Sequence, residues 1–354
     1  MAGVVNALKA RNDVEWMVCS TGQHKTMLTD ILVDLGYQAD VDLGIMGAAS
    51  TLSDVAALAM QRLDGVLASY QPDWVLVQGD TTTAFAGALA AFYRKIKVGH
   101  VEAGLRTGNR YSPFPEEVNR KLITAVASLH FVPTETARQN LLQEGVPEAD
   151  IKLTGNTVID GLLATRERAM SEPLRGEIER EFDWLRPGRR LILVTGHRRE
   201  NFGEGFRQIC QGLARIAERE DIEVVYPVHL NPNVRGPVTE ILGNRSRIHL
   251  IEPLSYTRFV YLMSRAHILL TDSGGIQEEA ASIDRPALVM RDTSERPEAI
   301  QAGAVKLVGT DADRIVAEVN RLLDDPAAYA AMTGKVNPYG DGTAGRQIVE
   351  ALIQ

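Results

Sequence analysis

Cysteine is scarce: Cys19 and Cys210 are the two in 354 residues. Two are too few for a disulfide framework or a thiolate cluster that would hold zinc. Such sparing use fits the reducing cytoplasm. Positive charge is also in deficit, with 38 basic residues against 46 acidic and a net charge of −8. A protein that grips nucleic acid by neutralising phosphates carries a basic surplus, so that class of partner is excluded. A small anionic ligand is not excluded, because a local pocket can be positive on an acidic protein. No apolar run approaches the roughly 18 residues that a membrane span needs. Met1-Ala2-Gly3 leads into an amphipathic pattern rather than a signal peptide. No repeat of solenoid period is present.

What remains is ordinary globular composition, 45% apolar and 24% charged. The length predicts two domains at about 100–200 residues each. Short apolar runs alternate with helical patterns, the signature of a parallel α/β sheet. In the first half, 15–20, 74–78, 98–102 and 129–132 read as strands, and 53–70, 82–94, 115–127 and 134–144 as helices. In the second half, 191–195, 223–227, 248–251, 268–271, 287–290 and 305–308 read as strands. The expected fold class is therefore α/β, with two Rossmann-like doubly wound lobes and a ligand cleft between them. The boundaries expected are 1–156 for the first lobe, 157–344 for the second, and 345–354 for a helix returning to the first. A doubly wound lobe normally opens on a strand and a tight phosphate-facing loop. Val4, Val5, Ala7 and Leu8 instead give a helical face at once, so the opening strand is expected to be missing.

Several segments at strand ends carry candidate chemistry. The strand 268–271 runs into Asp272-Ser273-Gly274-Gly275 and a helix, which suits phosphate: glycines allow close backbone approach, and the helix dipole favours an anion. Glu279, further along that helix, is positioned for a ribose diol. Asp80, in Gln78-Gly79-Asp80-Thr81-Thr82-Thr83, reads locally as a helix cap ahead of an acid or base. His100-Val101-Glu102 alternates, which points His100 and Glu102 to one face. The His-x-Glu spacing lacks the Pro-Cys-x-x-Cys that a zinc deaminase requires, so no metal is expected. Glu116 and Arg120 share a helix face at i, i+4, which on local grounds is a surface ion pair. Thr195-Gly196-His197-Arg198 follows the first strand of the second lobe, the usual ligand position in an open parallel sheet. His229, between Pro227 and Pro232, is a second histidine at a strand end.

These motifs occur in one order along essentially the whole chain, and in that order they resemble the non-hydrolysing UDP-N-acetylglucosamine 2-epimerases. The resemblance rests on Gly79-Asp80-Thr81, His100-Val101-Glu102-Ala103-Gly104-Leu105-Arg106, Pro115-Glu116-Glu117 through Asn119-Arg120, and Thr195-Gly196-His197-Arg198. Thr271-Asp272-Ser273-Gly274-Gly275-Ile276-Gln277-Glu278-Glu279 and Met290-Arg291-Asp292-Thr293-Ser294-Glu295-Arg296-Pro297-Glu298-Ala299 complete it. It implies a glycosyltransferase-B-type fold, a homodimer, and interconversion of UDP-GlcNAc and UDP-ManNAc through a glucal-like intermediate, without metal or nicotinamide.

By the same resemblance Asp80, Glu102 and Glu116 supply acid, base and cation stabilisation, Arg120 orients or polarises a carboxylate, and His197 reaches the diphosphate or the departing oxygen. Ser273, Gly274 and Gly275 hold phosphate, Glu279 the ribose, Phe259 the uracil region, and Arg296 the diphosphate or sugar. Gln23, Arg198 and His229 match positions at which some members bind a second, activating UDP-GlcNAc, although Thr26 stands where those members carry a longer polar residue. Family members open with a strand and a Gly-Thr-Arg-Pro-Glu loop. Met1–Leu8 resembles the helix after that loop, so the chain as written is expected to be poorly stable and weakly active. The alternative functions are a UDP-sugar glycosyltransferase of the same fold, a hydrolysing epimerase, and a UDP-sugar-binding protein without turnover.

Overall fold

The computed structural model describes residues 1–22, 38–45, 49–294 and 296–354. The chain divides into two compact units. One comprises Met1–Gly161 with Tyr339–Gln354, and the other Leu162–Pro338. Both are α/β with parallel sheets, as the alternation of apolar runs predicts.

In the first unit a short parallel pair, β1 (Cys19–Ser20) and β2 (Val41–Asp42), stands apart from a four-stranded sheet. That sheet contains β3 (Trp74–Gln78), β4 (Lys97–Val101), β5 (Leu129–Val132) and β6 (Ile151–Leu153), in the order β3-β4-β5-β6. The reading of 15–20 as a strand is thus correct only for its last two residues, and β6 was not anticipated. The helix Thr82–Tyr93 between β3 and β4 buries Ala84, Ala86, Ala88, Ala90 and Ala91. Small side chains let it lie close to the sheet: a Cβ on Gly87 would sit 3.3 Å from Val77. A second core joins Val4, Val101, Phe131, Ile348 and Val349. The terminal helix Ala344–Ile353 therefore packs against the helix Ala2–Lys9 inside this unit.

The second unit carries β7 (Arg190–Thr195), β8 (Ile222–Pro227), β9 (Ile248–Ile251), β10 (Ile268–Thr271), β11 (Ala287–Val289) and β12 (Val305–Leu307). Their order is β12-β11-β10-β7-β8-β9, all parallel. Counted within the unit this is the doubly wound order 3-2-1-4-5-6 read from the far edge. The chain reverses direction across the sheet between β7 and β10, and the crevice beyond the carboxyl ends of those two strands is where such sheets bind ligands. Register places Thr195 beside Thr271 there, with the two hydroxyl oxygens 2.6 Å apart. The helix Leu174–Glu181 precedes β7.

Candidate active site

The first unit brings its acids together at the carboxyl ends of β3 and β4. After β3 the backbone turns at Gly79, with φ +71°, and Gly79 N donates to Val101 O at 3.0 Å. Thr81 caps the following helix by accepting from Ala84 N at 3.1 Å. The cap reading of Asp80 is therefore overturned: a neighbouring threonine does that work, and the Asp80 carboxylate is released to form an ion pair with Arg120. Asn119 Nδ2 donates to Asp80 O at 2.9 Å. Fully buried His100 donates from Nε2 to Gly79 O at 2.8 Å. Burial pushes its pKa down to about 3, so it is a neutral prop and not an acid.

Glu102 follows the last residue of β4 and has φ +62°. The alternation that put it on one face with His100 ends before it. A positive φ is unfavourable for a residue with a Cβ and is kept only where the surroundings enforce it. They do so here. Ala103 N donates to Phe131 O at 3.0 Å, and Asn140 Nδ2 to Gly104 O at 2.9 Å. A Glu102 oxygen lies 3.5 Å from the position a Cβ would take on Gly79, which sets it beside the Asp80 turn.

Glu116 opens the helix Glu116–Val126. The expected i, i+4 pair with Arg120 does not form, because Arg120 turns to Asp80. Glu116 Oε2 is left buried without a hydrogen-bond partner. Such an oxygen is costly unless something supplies a proton or donor. Its neighbour Glu117 is buried and accepts from Thr107 N at 2.9 Å and Gly108 N at 3.1 Å, which ties the 105–112 loop to this helix.

The second unit gathers polar groups around the β7–β10 crevice. Ser273 is the N-terminal boundary of the helix Gly274–Ser282, yet its side chain makes no cap hydrogen bond. The first-turn N–H groups are thus open to an anion at the positive end of the helix dipole. A Cβ on Gly274 would come 3.6 Å from Arg198 Nη2, so that guanidinium lies over the same turn. His197 and His229 stack with ring centres 5.6 Å apart. Asp272 is entirely buried and accepts from His197 N at 2.9 Å and Arg198 N at 2.8 Å.

Glu279 is buried in the same helix and accepts from Tyr256 Oη at 2.7 Å. Burial pushes its carboxyl up to about 7, against the pull of the Tyr256 hydrogen bond. Phe259 is partly exposed on the helix Tyr256–Arg265 that carries Tyr256. Arg296 is paired with buried Glu278. Gln23 and Thr26 lie outside the described residues.

Residues 6–353 match the UDP-N-acetylglucosamine 2-epimerase family. The UDP-N-acetylglucosamine 2-epimerase of Escherichia coli K12 is 54% identical over 99% of this chain and 94% of its own. That of Salmonella typhimurium LT2 is 52% identical with the same coverage. The crystal structure of the Neisseria meningitidis UDP-GlcNAc 2-epimerase bound to UDP-GlcNAc superposes with a TM-score of 0.89 at 46% identity, covering 100% of this chain and 95% of that one. This chain belongs to the UDP-N-acetylglucosamine 2-epimerase family.

Two residues in contact with these candidates escaped sequence reasoning. Asp272 was read only as part of a turn, although an acid directly before Ser-Gly-Gly is a visible signal. Tyr256 carries no motif, and its approach to Glu279 is a contact between distant segments. Among the described residues no cluster of His, Cys, Asp and Glu has metal-holding geometry, and no helix is long and apolar enough to cross a membrane.

Proposed function

We propose that the chain interconverts UDP-GlcNAc and UDP-ManNAc. The observation that carries this reading is that one unit holds the three carboxylates Asp80, Glu102 and Glu116, and the other holds an open phosphate turn and a ribose-type acid on a single helix. One carboxylate takes the C2 proton as the bond from C1 to the diphosphate oxygen breaks, giving UDP and a 2-acetamidoglucal. A carboxylic acid on the opposite face returns a proton to C2 while UDP adds back at C1. Atoms and electrons balance with no water consumed and no redox change. General acid–base groups of this kind contribute about 10²–10⁴-fold each.

Arg120 orients Asp80 through their ion pair, and stabilises negative charge as it shifts between carboxylates. His197, with Ser273, Gly274 and Gly275, receives the diphosphate, and Glu279 accepts from the ribose hydroxyls. Phe259 borders the uracil, and Arg296 contributes a further diphosphate or sugar contact. Arg198 and His229, with Gln23, form a second nucleotide-sugar position in the regulated members, which is the role proposed for them here.

The protein works in the cytoplasm as a homodimer. Val118 and Leu122 are exposed on one face of the helix Glu116–Val126, and Phe92 and Tyr93 are exposed on the helix that packs beside it, a surface suited to burial against a second copy. Sedimentation at micromolar concentration tests the dimer; a monomer would refute it.

Proton NMR of UDP-GlcNAc incubated with the protein in D₂O tests the reaction. Deuterium at C2 together with UDP-ManNAc is expected. Free ManNAc with UDP would indicate a hydrolysing epimerase. Binding without exchange at C2 would overturn the reading.

A further inference from the structure

Asp272 stands at the end of β10 in the β7–β10 crevice and is fully buried. One oxygen, Oδ2, accepts from His197 N at 2.9 Å, Arg198 N at 2.8 Å and Asn201 Nδ2 at 3.3 Å. That single oxygen folds the 197–201 loop around itself. The other oxygen, Oδ1, has no hydrogen-bond partner. Its facing group is the His197 ring, with Nδ1 at 3.6 Å. Among the described residues no lysine or arginine side chain forms an ion pair with Asp272. A buried carboxylate oxygen left without a donor is unfavourable. A rotation of the His197 ring that closes the gap by a few tenths of an ångström would supply one.

We infer that Asp272 is a positioning residue for His197: it accepts the Nδ1 proton, fixes the tautomer, and leaves Nε2 to face the ligand. The same pairing lets Nε2 take up a proton from solvent when a diphosphate binds, with the resulting positive charge held between Asp272 and the phosphate. Orientation of a functional histidine by a hydrogen-bonded acceptor on its second nitrogen is a general device.

The other groups around the ring fit this arrangement. His229 stacks on it from the end of β8, so it meets the flat face and not the ring nitrogens. Tyr226 Oη donates to Gly196 O at 2.9 Å and holds the residue before His197. Arg198 follows in the chain, with its guanidinium over Gly274. Glu200, the remaining acid of the loop, is already paired with Arg291.

The ligand half of this inference rests on the assignment of His197 to the diphosphate; the pairing itself does not, and the measurements separate them. Histidine ¹⁵N spectra of the nucleotide-free protein at alkaline pH are expected to show His197 protonated at Nδ1. In Asp272→Asn the amide oxygen can keep the three loop donors while the amide nitrogen faces the ring, so the proton is expected to move to Nε2. Tyr226→Phe, which loosens the loop without touching the pair, is expected to keep the wild-type tautomer.

UDP affinity is expected to fall roughly tenfold in Asp272→Asn and to be insensitive to the same change in a His197→Ala background. A wild-type His197 protonated at Nε2 would overturn the pairing even if Asp272→Asn failed to fold. Equal loss of affinity in both backgrounds would reduce Asp272 to a loop staple. A tautomer switch with UDP affinity indifferent to His197→Ala would keep the pairing and remove His197 from the diphosphate.

Discussion

A carboxylate sealed in a protein interior is a liability unless a ligand repays it, and Glu279 is such a group. Burial is the main cause of its raised pKa, Glu278 adds to it, and the Tyr256 hydroxyl opposes it, for a result of about 7 against the ordinary 4.5. Between those two values the folded protein holds a proton that the unfolded chain has released. Stability from this group is therefore greatest at low pH and is lost as pH rises through about 7. Above that, keeping the ionised carboxylate costs on the order of 3 kcal/mol. Glu279→Gln is expected to raise the unfolding free energy at pH 8 by an amount of that order, and to leave it nearly unchanged at pH 4. The same variant should bind UDP far more weakly, because a carboxylate accepting from two ribose hydroxyls is lost. Wild-type binding near pH 7 should release protons as the acid ionises. Calorimetry in buffers of different ionisation enthalpy reads this directly, and binding without proton release would place the ribose elsewhere. Tyr256→Phe should enlarge the release by removing the donor that favours the ionised form.

At the scale of elements, the turn after β4 decides where Glu102 points, and Gly104 decides whether that turn can form. Gly104 has φ +81°, and a Cβ there would lie 2.3 Å from Ala137 O in the neighbouring helix. Backbone cannot yield as a side-chain tip can. Gly104→Ala is expected to destabilise by about 3 kcal/mol, combining backbone strain with displacement of the helix Glu135–Gln143. Gly108 is the control. Its φ of +75° is similar, but nothing lies within 4 Å of its Cβ position, so Gly108→Ala should cost only about 1 kcal/mol. Urea midpoints separate the two, and equal shifts would mean the Ala137 contact does not matter. Exchange at C2 should fall in Gly104→Ala well beyond the loss explained by unfolding. Elements of this kind also show what a sequence discloses. The motif residues were legible because they lie where strands end, and strands announce themselves by apolar runs. Partners were not: Arg120 pairs with Asp80, some 40 residues away, instead of with Glu116 one turn away. The strand Ile151–Leu153 buries only its first residue and so shows no alternation. Asp80 was misread as a cap because Thr81 is an equally good one, and only packing chooses between them.

The whole molecule is built discontinuously, which sets up a separation between its two tasks. The second unit is one continuous stretch, whereas the first is closed by residues that come back after it. Asn156 N donates to Tyr339 O at 2.6 Å, so the returning strand of chain is tied beside the outgoing one. Asp160 then accepts from Gly345 N at 2.7 Å at the start of the helix Ala344–Ile353. A Cβ on Gly345 would fall 2.3 Å from the backbone of Gly3, so this contact between the first and last helices admits no side chain. Ile348 and Val349 depend on that approach to reach Val101 and Phe131 in the sheet. Gly345→Val should therefore lift the last helix away and expose residues 339–354 to protease. The first unit should lose about 3 kcal/mol or more, the range for emptying core positions. Because Glu102 directly follows the strand that ends at Val101, and Asp80 follows the neighbouring strand β3, turnover should fall with it. The groups assigned to UDP belong to the other unit, whose core is its own. UDP affinity should stay within about twofold of wild type, since lesions in separate cores add without coupling. Limited proteolysis read by mass spectrometry, with UDP titration on the same sample, makes the comparison. A tail that stays protected would show that the glycine contact is dispensable, and a loss of UDP affinity matching the loss of turnover would show that the two units do not divide the work.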